Sequence, residues 1–170
     1  MLRIFLAGTV LATFATTSAF AHVTLRTPEA AAGSTYTAAL VLSHGCDGNA
    51  TVAVKVRIPE GVINVKPQPK PGWDIAVTTG SYAKSYELFG SPVSEGVTEI
   101  SWSGGNLPDA FFDEFVFRGT LAGAVAGTTL YFPVVQTCSG GEEAWIEIPV
   151  EGQPEPQSPA PGLKIVKAGH

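Results

Sequence analysis

The residues able to do chemistry are few and widely spaced: His22, Glu29, His44, Cys46, Cys138, Trp145 and the last residue, His170. His22 draws attention because Ala19-Phe20-Ala21 ahead of it is a small-x-small cleavage site. Arg3 supplies a short positive region, and Ile4 to Phe14 make an apolar run broken afterwards by threonines and a serine. This is a secretory signal, and it falls short of the ~20 apolar residues of a membrane-spanning helix. Cleavage after Ala21 exposes His22 as a free terminus. A terminal histidine closes a chelate on one metal ion through its α-amine and ring Nδ1, both of which shed protons readily near neutrality when a metal competes. Two nitrogens with a carboxylate oxygen, offered by Glu29 seven residues on, suit the tetragonal preference of Cu(II). Cleavage leaves some residue at the terminus in every exported protein, so the histidine alone does not decide the matter.

The cysteines bear on redox setting. In an oxidising compartment Cys46 and Cys138 are expected to pair as a structural disulfide. Thiolate metal ligation and a redox couple are the rival readings, and neither residue lies in a CxxC arrangement. The only methionine is Met1, which leaves with the signal. A mature chain without thioethers and with paired thiols lacks the soft ligands that Cu(I) prefers, so any copper bound here is expected to be Cu(II).

A brace of two histidines needs a second imidazole beside the terminus. His170 ends the chain, and His44 sits in Ser43-His44-Gly45-Cys46-Asp47-Gly48, a surface turn tethered by the expected disulfide. No nucleophile with a base, phosphate loop or paired catalytic carboxylates is present, so no catalytic residue is assigned and an enzyme is not expected. The net charge is −5, and −6 once Arg3 is gone. That balance, with no basic stripe, argues against nucleic acid and against anionic lipid surfaces. No second apolar run reaches spanning length, so no stable membrane anchor is expected in the mature chain.

The elements that must position these residues are strands. Thr51-Val52-Ala53-Val54-Lys55-Val56-Arg57-Ile58 alternates with a step of two, and Pro59-Glu60-Gly61 ends it. Further strands are predicted at 22–27, 35–43, 62–66, 73–78, 84–89, 98–103, 114–121, 129–136 and 144–150. Short strands between Gly- and Pro-rich turns predict an all-β, antiparallel sandwich over residues 22–151, following the signal peptide at 1–21. From Gly152 to His170 the chain reads as a Pro-rich tail, with Leu163-Lys164-Ile165-Val166 as a candidate edge strand.

Trp73 and Trp102 read as core anchors. Phe111-Phe112-Asp113-Glu114-Phe115-Val116-Phe117 carries aromatics on both faces and predicts a strand buried on both sides or covered by the tail. In Ala144-Trp145-Ile146-Glu147-Ile148-Pro149-Val150, alternation puts Ile146, Ile148 and Val150 inward and Trp145 on the polar face. There it is either covered by a loop or the amino-terminal strand, or it shields a site.

Several of these pieces occur together in one known family. His22-Val23-Thr24-Leu25 with Pro28 and Glu29, Arg57-Ile58-Pro59-Glu60-Gly61-Val62, Lys66-Pro67 with Pro71-Gly72-Trp73, Trp102-Ser103-Gly104-Gly105, Phe112-Asp113-Glu114-Phe115 and the Trp145 region resemble the YcnI-like copper-binding domain family. The resemblance spans the mature chain up to the Pro-rich tail. It implies an immunoglobulin- or cupredoxin-like sandwich, periplasmic or secreted, that handles copper as a metallochaperone or store. A copper-transport partner in the periplasm or membrane follows from that role. It further implies one Cu(II) held by the amine and ring nitrogen of His22 and a Glu29 oxygen, with Trp145 against the metal. The chain departs from some members in lacking a carboxy-terminal membrane helix and in carrying Cys46 and Cys138. Two alternatives from other classes are a copper-dependent oxidative enzyme, which the missing second histidine opposes, and a metal-free carbohydrate-binding or adhesion sandwich using Trp73, Trp102 or Trp145.

Overall fold

A computed structural model describes residues 22–168; the signal peptide predicted at 1–21 and His170 lie outside the described residues. The strands in chain order are β1 (Thr24–Leu25), β2 (Glu29–Ala31), β3 (Thr35–Leu42), β4 (Thr51–Arg57), β5 (Val62–Pro67), β6 (Asp74–Leu88), β7 (Ser91–Leu107), β8 (Asp113–Leu121), β9 (Thr129–Tyr131), β10 (Val134–Cys138), β11 (Gly141–Trp145) and β12 (Gly162–Val166). One turn of 3-10 helix over Gly123–Val125 is the only helix among the described residues, so no described helix is long enough to cross a membrane. The strands form a four-stranded sheet β1-β3-β8-β5, a five-stranded sheet β11-β10-β4-β7-β6 and a three-stranded sheet β2-β12-β9. This is the all-β sandwich that the alternation predicts.

Period-two burial builds the core. Leu40, Phe115 and Phe117 from the first sheet meet Val54, Val56, Ile100, Trp102 and Val134 from the second, and Leu163 and Ile165 join from the third. Phe115 packs edge-on against Trp102 and Trp73, with centroids 5.5 and 4.8 Å apart. The Trp73 ring lies flat enough on the backbone of Gly105 that a Cβ there would stand 2.0 Å from it. Both tryptophans are therefore anchors, as their sequence settings indicate.

Four expectations are corrected. The stretches 73–78, 84–89 and 98–103 belong to one long hairpin, β6–β7, whose Leu88↔Ser91 pair is closed by Phe89 and Gly90 at φ +50° and +79°. Two successive left-handed residues make the tight turn that matches strand twist. The predicted strand at 129–136 is split by Pro133, which has no N–H for a ladder, and its halves enter different sheets. Phe111 and Phe112 precede β8 and are exposed, leaving Phe115 and Phe117 on one inward face. Finally, the stretch predicted as a tail from Gly152 carries a core strand within its described part, 152–168: β12 is the middle strand of its sheet, parallel to β2 and antiparallel to β9, with Leu163 and Ile165 fully buried.

Candidate metal centre

β1 fixes the stem of His22. Val23 and Leu25 are buried, Thr24 and Leu25 pair with Val41 and Leu40, and Arg26 N–H donates to the Ala39 carbonyl at 3.0 Å. So anchored, the chain sets the His22 imidazole edge-on to the Trp145 indole, with centroids 5.5 Å apart and planes at 67°.

Trp145 is the last residue of β11, and its face is the reverse of the predicted one. It is 4% exposed, while Ile146, Ile148 and Val150 are 48–61% exposed. Trp145 pairs with Val134, which faces the core, and antiparallel partners share a face. The ladder then stops: Ile146 N–H bonds back to the Ala144 carbonyl, and Glu147 turns to a new partner at 158–160. Strand alternation thus does not extend through 146–150.

Gln136 holds the indole. This amide is 2% exposed. Its Oε1 accepts from Trp145 Nε1 at 3.4 Å, and its Nε2 donates to the His44 carbonyl at 2.9 Å and Thr51 Oγ1 at 2.8 Å. Next to it lies the Cys46–Cys138 disulfide, with Cα atoms 5.9 Å apart. No free cysteine remains, so thiolate ligation is set aside. Sequence reading passed over Gln136; the signal was an amide among the apolar residues of Val134-Val135-Gln136-Thr137-Cys138, since a buried amide there needs dedicated partners. His44 remains a turn residue, tied through its backbone to this network.

His22 lines an open pocket of about 440 Å³ together with Leu25, Pro28, Tyr131, Pro159 and Glu155. The lining includes Pro28 but not Glu29. Glu29 stands in register with Lys164 across β2 and β12, and its Oε2 lies 3.1 Å from Lys164 Nζ. Thus the fold brings His22 and Trp145 together, whereas Glu29 is engaged elsewhere. Among the described residues no group of three or more His, Cys, Asp and Glu side chains stands ready to hold a metal. The described side chains therefore offer a metal no preassembled cage, and a metal held here would need donors that one residue supplies by itself.

Three sheets around one core, with His22 just ahead of β1 meeting Trp145 at the end of β11, define an immunoglobulin-like β-sandwich. The crystal structure of an uncharacterized protein from Nocardia farcinica, described as an immunoglobulin-like fold, is similar at 28% identity and a TM-score of 0.64, over 85% of this chain and 98% of that one. The family model "Domain of unknown function (DUF1775)" matches residues 22–165, and the chain belongs to this family, that of the YcnI-like proteins. The match runs through β12, consistent with that strand's place in the core. No curated protein matches the sequence.

Proposed function

We propose that the mature protein binds one Cu(II) at its amino terminus, outside the cytoplasm, and serves copper homeostasis as a metallochaperone or store and not as an enzyme. The α-amine and ring nitrogen of His22 carry the affinity, and copper is the cargo. The observation that supports this reading is the seating of His22: the residue that signal cleavage would expose rests against a fixed indole and lines a pocket. A chelate whose ring is already oriented loses less freedom on binding than one at the end of a frayed strand. Trp145 covers one side of the bound ion and limits solvent there. A carboxylate oxygen completes the set, and for Glu29 to provide it the Lys164 ion pair has to open. Both partners of that pair are more than half exposed, so opening it costs about 0–1 kcal/mol. Release to a copper-transport partner is compatible with one residue supplying most donors.

The test is a Cu(II) titration of protein starting at His22 against protein carrying one extra amino-terminal residue. The extra residue turns the amine into an amide, and affinity is expected to collapse. Equal affinity of the two forms overturns the proposal. The mass of the first peptide of the exported protein locates the terminus independently.

A further inference from the structure

On the outer face of the first sheet, β5 and β8 run antiparallel with Ile63 opposite Thr120 and Lys66 opposite Arg118. Three steps along β5 match two along β8, so β5 carries one extra residue between these pairs, a bulge. Asn64 within it stands at φ +52°, in the left-handed region that asparagine enters more readily than most residues. Val62 and Val65 turn into the core over Gly119, where a Cβ would stand 2.8 Å from Val62 Cγ1 and 3.3 Å from Val65 Cγ2. In a regular ladder Val65 would lie opposite Arg118. The bulge gives that place to Lys66.

Like charges directly opposite on one face repel, since their Cβ atoms are only about 5 Å apart. Lys66 and Arg118 are both exposed. The ion pairs among the described residues are those of Arg26, Lys55, Lys70 and Lys164, so neither residue has a carboxylate partner. Their neighbours by register on that face are neutral: Thr35, Thr37 and Ala39 on β3, Val116 and Thr120 on β8, and Gln68 just past β5. Cations near the start of β8 are matched instead, Arg26 with Glu114 and Lys70 with Asp113 at 2.6 Å. A chain of net charge −5 thus builds a pair of facing cations and supplies them no counter-charge.

We propose that Lys66 and Arg118 bind an oxyanion carrying two negative charges, either a phosphate group or a pair of neighbouring carboxylates. A guanidinium is a planar fork that takes two oxygens at once, and an ammonium beside it adds a point charge with its own donors. Thr37, opposite Arg118 on the other side from Lys66, brings a hydroxyl to the same row. A dianion neutralises both cations and ends their repulsion, whereas a monoanion leaves one charge uncompensated. The site shares no residue with the His22 pocket and does not depend on the copper reading.

The experiment is urea unfolding of protein starting at His22, disulfide intact, in chloride and in doubly charged phosphate at equal ionic strength. Phosphate at about ten times its dissociation constant is expected to raise the folded-to-unfolded ratio about tenfold, read as a higher urea midpoint. Lys66→Gln and Arg118→Gln are each expected to abolish most of that gain. In chloride both variants are expected to unfold at a midpoint no lower than the parent's, because either change ends the repulsion. Arg57→Gln, which removes an exposed cation of the second sheet, is expected to keep the gain. Malonate in a parallel series separates the sources: a gain there too supports paired carboxylates, and a gain with phosphate alone supports a phosphate group. No gain in the parent with either anion overturns the proposal. A gain that survives in Lys66→Gln or Arg118→Gln also overturns it, since exclusion of the anion from the protein surface then accounts for the effect. A chloride midpoint that falls in both variants does the same.

Discussion

The imidazole of His22 and the indole of Trp145 meet edge to face at 5.5 Å, one ring at the start of the described chain and the other at the end of β11. The contact joins the segment leading into β1 to the second sheet. It also places a fluorophore beside the proposed metal chelate, and Gln136 fixes that fluorophore through its Nε1.

Cu(II) is a paramagnetic quencher that acts at short range. Binding at His22 is expected to quench tryptophan emission chiefly through Trp145, with fully buried Trp102 and the Trp73 anchor contributing little. Trp145→Phe is expected to remove most of the copper-induced quenching while the remaining emission persists. Undiminished quenching in that variant places the ion elsewhere.

Gln136→Leu replaces an amide that serves three partners. The Trp145 Nε1–H, the His44 carbonyl and the Thr51 hydroxyl then lose a bonding partner in a buried setting. Leaving such groups unsatisfied costs about 1–3 kcal/mol, read as a lower midpoint in urea unfolding with the disulfide intact. The freed indole also turns, so the near-ultraviolet circular dichroism changes. A variant as stable as the parent removes Gln136 from its positioning role.

Two tyrosines set an alkaline limit on stability. Burial pushes the Tyr36 phenol up to about 12, and its hydroxyl donates to the Thr27 carbonyl at 2.6 Å. Burial also raises Tyr86 to about 12, helped by its hydrogen bond to Glu60 Oε2 at 2.7 Å and by the charges of Glu60 and Tyr82. The unfolded chain releases these protons near pH 10. Between about pH 10 and 12 the folded state thus holds more protons than the unfolded one, and stability falls as pH rises. Below pH 10 their contribution is fully present. Denaturant midpoints measured from pH 9 to 12 are expected to decline over that window, and Tyr86→Phe is expected to flatten part of the slope. An unchanged slope in that variant rules out Tyr86 as a source.

Much of this was legible in the order of residues. Alternation in Thr51–Arg57 and Thr35–Leu42, cut by Pro-Glu-Gly and Gly-rich turns, specifies strands because side chains a step of two apart share a face. Two cysteines in a chain whose first residues read as an export signal point to a disulfide, since each thiol has one available partner, and the fold joins them. The family motifs pointed to a terminal histidine and an indole, and the fold brings those two together.

What local pattern lacked was register. Trp145 faces the core because it pairs with Val134, and the alternation of 144–150 read alone puts it on the other side. A shift of one residue reverses every side chain, so facing is decided by the partner strand. The last strand read as an edge until β2 and β9 were found on either side of it. The same parallel pairing gives Glu29 to Lys164, and the segment between β11 and β12 brings Glu155 and Pro159 to the pocket that His22 lines. His22, Glu29 and Trp145 were visible as types in the sequence. Which side chains share a pocket with the imidazole depends on contacts between opposite ends of the chain, and such contacts leave no periodic trace in the residues that make them.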